Sequence, residues 1–168
     1  MQKSMARIDI TMPSTGYYLL NKISVMNIQL FYEDIIPGSN IPPCFKKPDK
    51  MQLVRWAGAS GDYNPIHYDK DYAIEHNLPG VIVHGQLAAC YLGQMITDWI
   101  GERGQLKKMA VTYRGMNIPG ESITCGGVVL NKQIDKGEHL VSLKIWGENP
   151  GGEKTLTGTA IVALPVRE

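Results

Sequence analysis

The 168 residues, 43% hydrophobic and 20% charged, have the balance of a globular protein, and a chain this long buries an apolar core as one domain without disulfide or metal staples. A net charge of +1, with Lys and Arg scattered and no basic run, withholds the electrostatic footprint of a nucleic-acid binder. No apolar stretch reaches the roughly 18 to 20 residues of a membrane span, and the N-terminus lacks a basic segment leading into an apolar block and cleavage site, so a cytoplasmic setting without a membrane partner is expected.

In chain order, residues 1–28 mix short polar and apolar pieces without a sustained period and read as an N-terminal extension: an upstream start, a flexible arm or an extra strand. The rest, 29–168, reads as one domain. From Leu30 to Ile36 an apolar and aromatic stretch predicts a strand, with Pro37-Gly38 and Pro42-Pro43 marking an extended loop after it. Asp49 can cap a helix whose apolar face is Met51, Leu53, Val54 and Ala57, closed by Gly58 and Gly61. Asp69 can cap a short helix through Tyr72, Ala73 and Ile74, ended by Asn77 and Pro79-Gly80.

The longest helical pattern spans about Gly85 to Ile100. Leu87, Tyr91, Met95 and Trp99 recur every four residues, and Ala88, Leu92 and Ile96 widen the stripe. A helix apolar around most of its circumference is expected to be wrapped by other structure. Beyond it the period changes to two: Val111 and Tyr113 alternate with Thr112 and Arg114, Val141, Leu143 and Ile145 with Ser142 and Lys144, and residues 155–164 are rich in Thr, Ala, Ile and Val. Turns at Pro119-Gly120, Asp135-Lys136-Gly137 and Asn149-Pro150-Gly151-Gly152 space these strands as an antiparallel meander. One buried helix with about four antiparallel strands predicts an α+β layer, the sheet curved around the helix. Cys44, Cys90 and Cys125 are too dispersed for a disulfide framework or a zinc site and read as reduced thiols.

Chemistry-bearing side chains are densest in Ser60-Gly61-Asp62-Tyr63-Asn64-Pro65-Ile66-His67-Tyr68-Asp69, between two predicted helices. Gly61 and Asn64-Pro65 enforce a tight, irregular backbone that can turn Asp62 and His67 toward one point, where a carboxylate and an imidazole share the protons of a water. The same residues also fit a turn-capping Asp and a hydrogen-bonded structural His. A second feature is Val83-His84-Gly85 at the start of the long helix. Unpaired N–H groups there can hold a carbonyl oxygen that gains charge, and Gly85 leaves the approach open; glycine also opens many helices for packing reasons alone.

The string Ala59-Ser60-Gly61-Asp62-Tyr63-Asn64-Pro65-Ile66-His67-Tyr68-Asp69, followed after a short helix by Val81-Ile82-Val83-His84-Gly85, closely resembles the hydratase signature of the MaoC-like dehydratases, the family of (R)-specific enoyl-CoA hydratases. The resemblance runs from about Phe31 to Pro165, including the long helix and the Leu156-Thr157-Gly158-Thr159-Ala160 strand, and leaves the N-terminal segment unmatched. It implies a hotdog fold, in which the sheet wraps a central helix and two copies pair edge to edge as a homodimer or larger homo-oligomer, with an acyl thioester bound at the interface. It also implies reversible hydration of a trans-2-enoyl thioester to the (R)-3-hydroxyacyl thioester without a metal or redox cofactor. Coenzyme A or an acyl carrier protein serves as the handle of the substrate.

Carried onto this sequence, Asp62 and His67 activate the water and the Gly85 N–H receives the thioester oxygen. Tyr63, Asn64, His84 and Gln86 fall on the substrate side, Asn64 as a support of the loop and Gln86 as a shaper of the acyl tunnel. Some relatives place a serine on the central helix where this chain has Gly93, near Cys90 and Tyr91, so a third polar contact is missing. Alternatives on the same fold are the catalytic subunit of a heteromeric acyl-carrier dehydratase and a hotdog thioesterase, which needs no complete Asp-x-x-x-x-His loop. A non-enzymatic acyl-CoA-binding or structural subunit is the remaining one.

Overall fold

A computed structural model describes residues 29–168; the N-terminal extension read from residues 1–28 lies outside them. In chain order they form β1 (Asn40–Lys46), α1 (Lys50–Ser60), α2 (Lys70–Glu75), α3 (Gly85–Ile100), β2 (Gln105–Tyr113), β3 (Ile123–Asp135), β4 (Glu138–Glu148) and β5 (Lys154–Ala163), with short 3-10 turns at Tyr32–Asp34 and Pro65–His67. The strands make one antiparallel sheet in the order β1-β3-β4-β5-β2, and α3 lies against all five. This is the α+β arrangement expected.

Two local expectations fail for identifiable reasons. The strand anticipated at Leu30–Ile36 is instead a 3-10 turn: the Asp34 carboxylate accepts the Phe31 N–H at 3.2 Å and curls the chain, while Tyr32 N–H is tied to the Pro165 carbonyl. The true first strand, β1, runs through Pro42-Pro43, where the sequence predicts a loop. Proline has no N–H for a ladder, and β1 tolerates two because it is an edge strand whose register against β3 slips between Ile41 and Cys44.

The meander also holds only in part. Asp135-Lys136-Gly137 and the Asn149–Gly152 turn do join β3 to β4 and β4 to β5 as neighbours, with Lys136 and Gly137 both at positive φ. Pro119-Gly120, however, ends a crossover, because β2 pairs with β5 at the far edge instead of with β3. Seven α3 residues, Leu87, Ala88, Tyr91, Leu92, Met95, Ile96 and Ile100, are buried against Ile123, Cys125, Val129, Val141, Leu143, Ile145, Leu156, Ala160 and Val162 of the sheet. Burial of a Leu- or Ile-sized side chain contributes roughly 1.5–3 kcal/mol, so this helix–sheet contact carries the core. The helix is nevertheless not wrapped on all sides: Gln86, Cys90, Gln94, Thr97 and Asp98 form an exposed stripe among the described residues. On α1 only Leu53 and Ala57 are buried, while Met51 and Val54, expected on its inner face, are exposed.

Candidate active site

The loop between α1 and α2 is built from its own polar groups. Asp49 caps α1 by accepting the Gln52 N–H at 2.7 Å, and Gly61, at φ 75° in the left-handed region, ends that helix and turns the chain away. Asp62 then accepts the Asn64 N–H on Oδ1 at 3.3 Å, and Asn64 accepts the Ile66 N–H on its own Oδ1 at 3.3 Å. These two Asx turns feed the 3-10 turn Pro65–His67, and Asp69 caps α2. Asn64 is thus a loop-shaping residue. Tyr63 is exposed, with its carbonyl receiving the Tyr68 hydroxyl at 3.1 Å.

This path brings the two candidate groups together. His67 is buried, its Nδ1–H donates to the Ile82 carbonyl at 2.8 Å, and that bond leaves Nε2 facing Asp62. Nε2 lies 3.8 Å from Asp62 Oδ2, beyond direct hydrogen-bond length but spanned by one oxygen making two bonds of roughly 2.8 Å. Asp62 remains partly exposed. Its carboxylate can therefore exchange with solvent while the imidazole is fixed from behind.

His84 stands directly beneath. Its ring stacks on His67 with centroids 3.8 Å apart and planes 21° from parallel, and its Nε2–H donates to the Asp62 backbone carbonyl at 3.2 Å. It is the most deeply buried polar side chain here, and its Nδ1 finds no partner among the described residues. Burial holds its pKa below the usual imidazole range and the neighbouring His67 pushes the same way, opposed by the hydrogen bond to Asp62. The neutral His84 ring is thus a wall against which His67 is oriented.

Asp62, His67 and His84 each offer a ligand atom, all within 4.8 Å of one another. The two rings, however, are nearly parallel, so their in-plane lone pairs run side by side instead of converging, and His67 Nδ1 and His84 Nε2 are already spent on carbonyls.

His67 and Gly85 share the wall of one cavity of about 250 Å³, completed by Ile66, Ile82, Val83, Tyr113, Gly115, Met116, Asn117 and Leu156. Gly85 is the first residue of α3, where a helix has no internal partner for its N–H. Its missing side chain has a second use: a Cβ there would meet the Tyr113 ring at 2.9 Å. Gln86 projects from the exposed stripe of α3 and does not line this cavity. The far-wall residues that sequence reasoning left out are Tyr113, Gly115, Met116, Asn117 and Leu156, which come from β2, the crossover after it and β5. Only the crossover topology places them opposite the loop, and no local pattern signals it.

Residues 38–145 match the family model described as "MaoC like domain", well over half of the chain. The chain belongs to the MaoC-like family. Among MaoC-like relatives it is 25% identical over 121 residues to the (R)-specific enoyl-CoA hydratase of Aeromonas caviae, covering 71% of this chain and 89% of that protein. It is 31% identical over 110 residues to the fatty acid synthase subunit beta of Aspergillus oryzae, covering 64% of this chain but only 5% of that much longer protein. An R-hydratase of Pseudomonas aeruginosa superposes with a TM-score of 0.75 at 21% identity, over 83% of this chain and 88% of that one, which fixes the hotdog fold. No helix among the described residues is long and apolar enough to cross a membrane.

Proposed function

We propose that this MaoC-like chain is a hydro-lyase that reversibly adds water to a trans-2-enoyl thioester, giving the (R)-3-hydroxyacyl thioester. The observation that carries the reading is the 3.8 Å gap between His67 Nε2 and Asp62 Oδ2, with His67 and the first residue of α3 on one cavity wall. In the hydration direction the water held by the pair forms its bond to C3 of the enoyl group. The pair takes one proton from that water, and one proton is delivered to C2, so that water is consumed whole. Electrons of the double bond move onto the thioester oxygen as the C3–O bond forms. The Gly85 N–H, backed by the positive end of α3, meets that charge, a type of contact that contributes on the order of 3 kcal/mol.

Tyr63, Asn64 and His84 act in this scheme around the reacting groups, Asn64 and His84 by shaping the loop and the imidazole. The chemistry calls on no metal or redox cofactor; coenzyme A enters as part of the substrate. A homodimer or larger homo-oligomer is proposed as the working assembly. The likeness to the fungal fatty acid synthase subunit favours a second reading, in which the thioester is carried by an acyl carrier protein and a foreign chain completes the enzyme.

The test is a set of 2-enoyl thioesters of graded length, offered both on coenzyme A and on a carrier protein, with loss of the conjugated enoyl absorbance as the signal. Hydration without release of free thiol is expected; thiol release without hydration makes the chain a thioesterase. Gel filtration of the active species separates the homo-oligomer from a chain that needs a foreign partner.

A further inference from the structure

Of the side chains around the cavity, Asn117 is the one without a part in the proposed chemistry or an apolar character to explain it. It is 6% exposed, on a wall that is otherwise mostly apolar: Ile66, Ile82, Val83, Met116 and Leu156. Its side chain is anchored from one side only. The hydroxyl of the buried Thr155 donates to Asn117 Oδ1 at 2.9 Å, and the Asn117 backbone carbonyl accepts the Val83 N–H at 2.8 Å. The same hydroxyl lies 3.3 Å from the Gly147 carbonyl, and with Oδ1 turned to Thr155 the Nδ2 donors of Asn117 bond to nothing among the described residues.

We infer that Asn117 is a specificity-determining residue whose Nδ2 donates to an uncharged oxygen, hydroxyl or keto, on the acyl chain beyond the β-carbon. The proposal rests on the hydratase reading and names the substrate class for it. The thioester oxygen is assigned to Gly85, and the Asn117 backbone carbonyl accepts the Val83 N–H two residues upstream, so the carboxamide is offered to a part of the substrate other than the thioester group. A wall built to hydrogen-bond one substrate group discriminates strongly against the analogue that lacks it, because its own donor is then left unpaired.

The test compares kcat/KM of the full chain for two 2-enoyl-CoA thioesters of equal length, one plain and one bearing a hydroxyl or keto group on the tail. Wild type is expected to favour the oxygenated substrate at least about tenfold, and Asn117→Leu to bring the ratio close to one by losing the oxygenated substrate selectively. A wild-type ratio at or below one, or an Asn117→Leu variant that lowers both substrates equally, overturns the assignment; the latter is what a purely structural Asn117 would give. Should Asn117→Leu not fold, Thr155→Val keeps the carboxamide but removes the hydroxyl that orients it. That variant is expected to lower the ratio about threefold or more, and an unchanged ratio counts against the proposal. Hydration of the plain substrate stands as the separate check on the hydratase reading: if it proceeds while the ratio fails, only the role of Asn117 falls, and if neither thioester is hydrated, both fall.

Discussion

The loop Gly61–Asp69 and helix α3 meet at the same cavity but are held by opposite means. Helix α3 is fixed by apolar burial, with Leu92 and Ile96 fully enclosed against the sheet. The loop buries almost nothing except His67, and keeps its shape through short-range hydrogen bonds that Asp62, Asn64 and Asp69 accept from backbone N–H groups. Stability resides in one and chemistry in the other. A reactive carboxylate must stay partly wet to exchange protons, whereas the helix that offers its N-terminus has to be immobile.

That division can be broken by mutation, beginning with the largest effect. Leu92→Ala removes fully buried volume under the sheet and is expected to cost about 2–5 kcal/mol of folding free energy in denaturant titration. Activity per folded molecule should remain close to wild type; a specific loss of turnover at full folding would mean that the core and the loop are not separable. Gly85→Ala probes the join between the two regions. Its new Cβ would strike the Tyr113 ring, and kcat/KM is expected to fall about tenfold or more. Because the N–H itself survives, adding Tyr113→Ala should restore most of the loss; no recovery would show that the thioester oxygen, and not the ring, needs the space.

The smallest effect is one of pH. His84 is held neutral in the fold by burial and by His67, so its folded pKa lies below the 6.5 of an unfolded imidazole. At a pH well above that value both states are neutral and nothing is lost. As pH falls through it the unfolded chain takes up the proton first, and stability declines. The thermal midpoint should drop between about pH 8 and about pH 5.5, and His84→Phe, which keeps the stacked ring without a titrating group, should flatten that slope.

How far the sequence reveals all this follows the same division. The bounds of α3 are legible because its apolar positions recur at helical spacing from Gly85 to Ile100, and β4 because Val141, Leu143 and Ile145 alternate strictly with more exposed neighbours. The loop is legible as a site because Gly, Asp, Asn and Pro leave little freedom about where its side chains turn. What stays hidden depends on tertiary placement. Pro42-Pro43 contradict strand propensity, and only an edge position with a slipped register admits them. The placement of β2 beside β5 is set by the sheet as a whole, and with it the far cavity wall at Tyr113 and Asn117. Asn117 itself, in an Asn-Ile-Pro-Gly stretch, reads as an ordinary turn residue until Thr155 is seen to hold it.

Hydration by this site needs a water shared between Asp62 and His67, and the direct measurement is enoyl-thioester hydration by Asp62→Asn and by His67→Ala beside the wild type, with thermal unfolding of all three. Each substitution is expected to lower kcat/KM at least about a hundredfold while the unfolding midpoint stays near the wild-type value. Folded variants that keep activity within about threefold of wild type would contradict it, because an acid–base group in contact with the reacting water cannot be removed so cheaply.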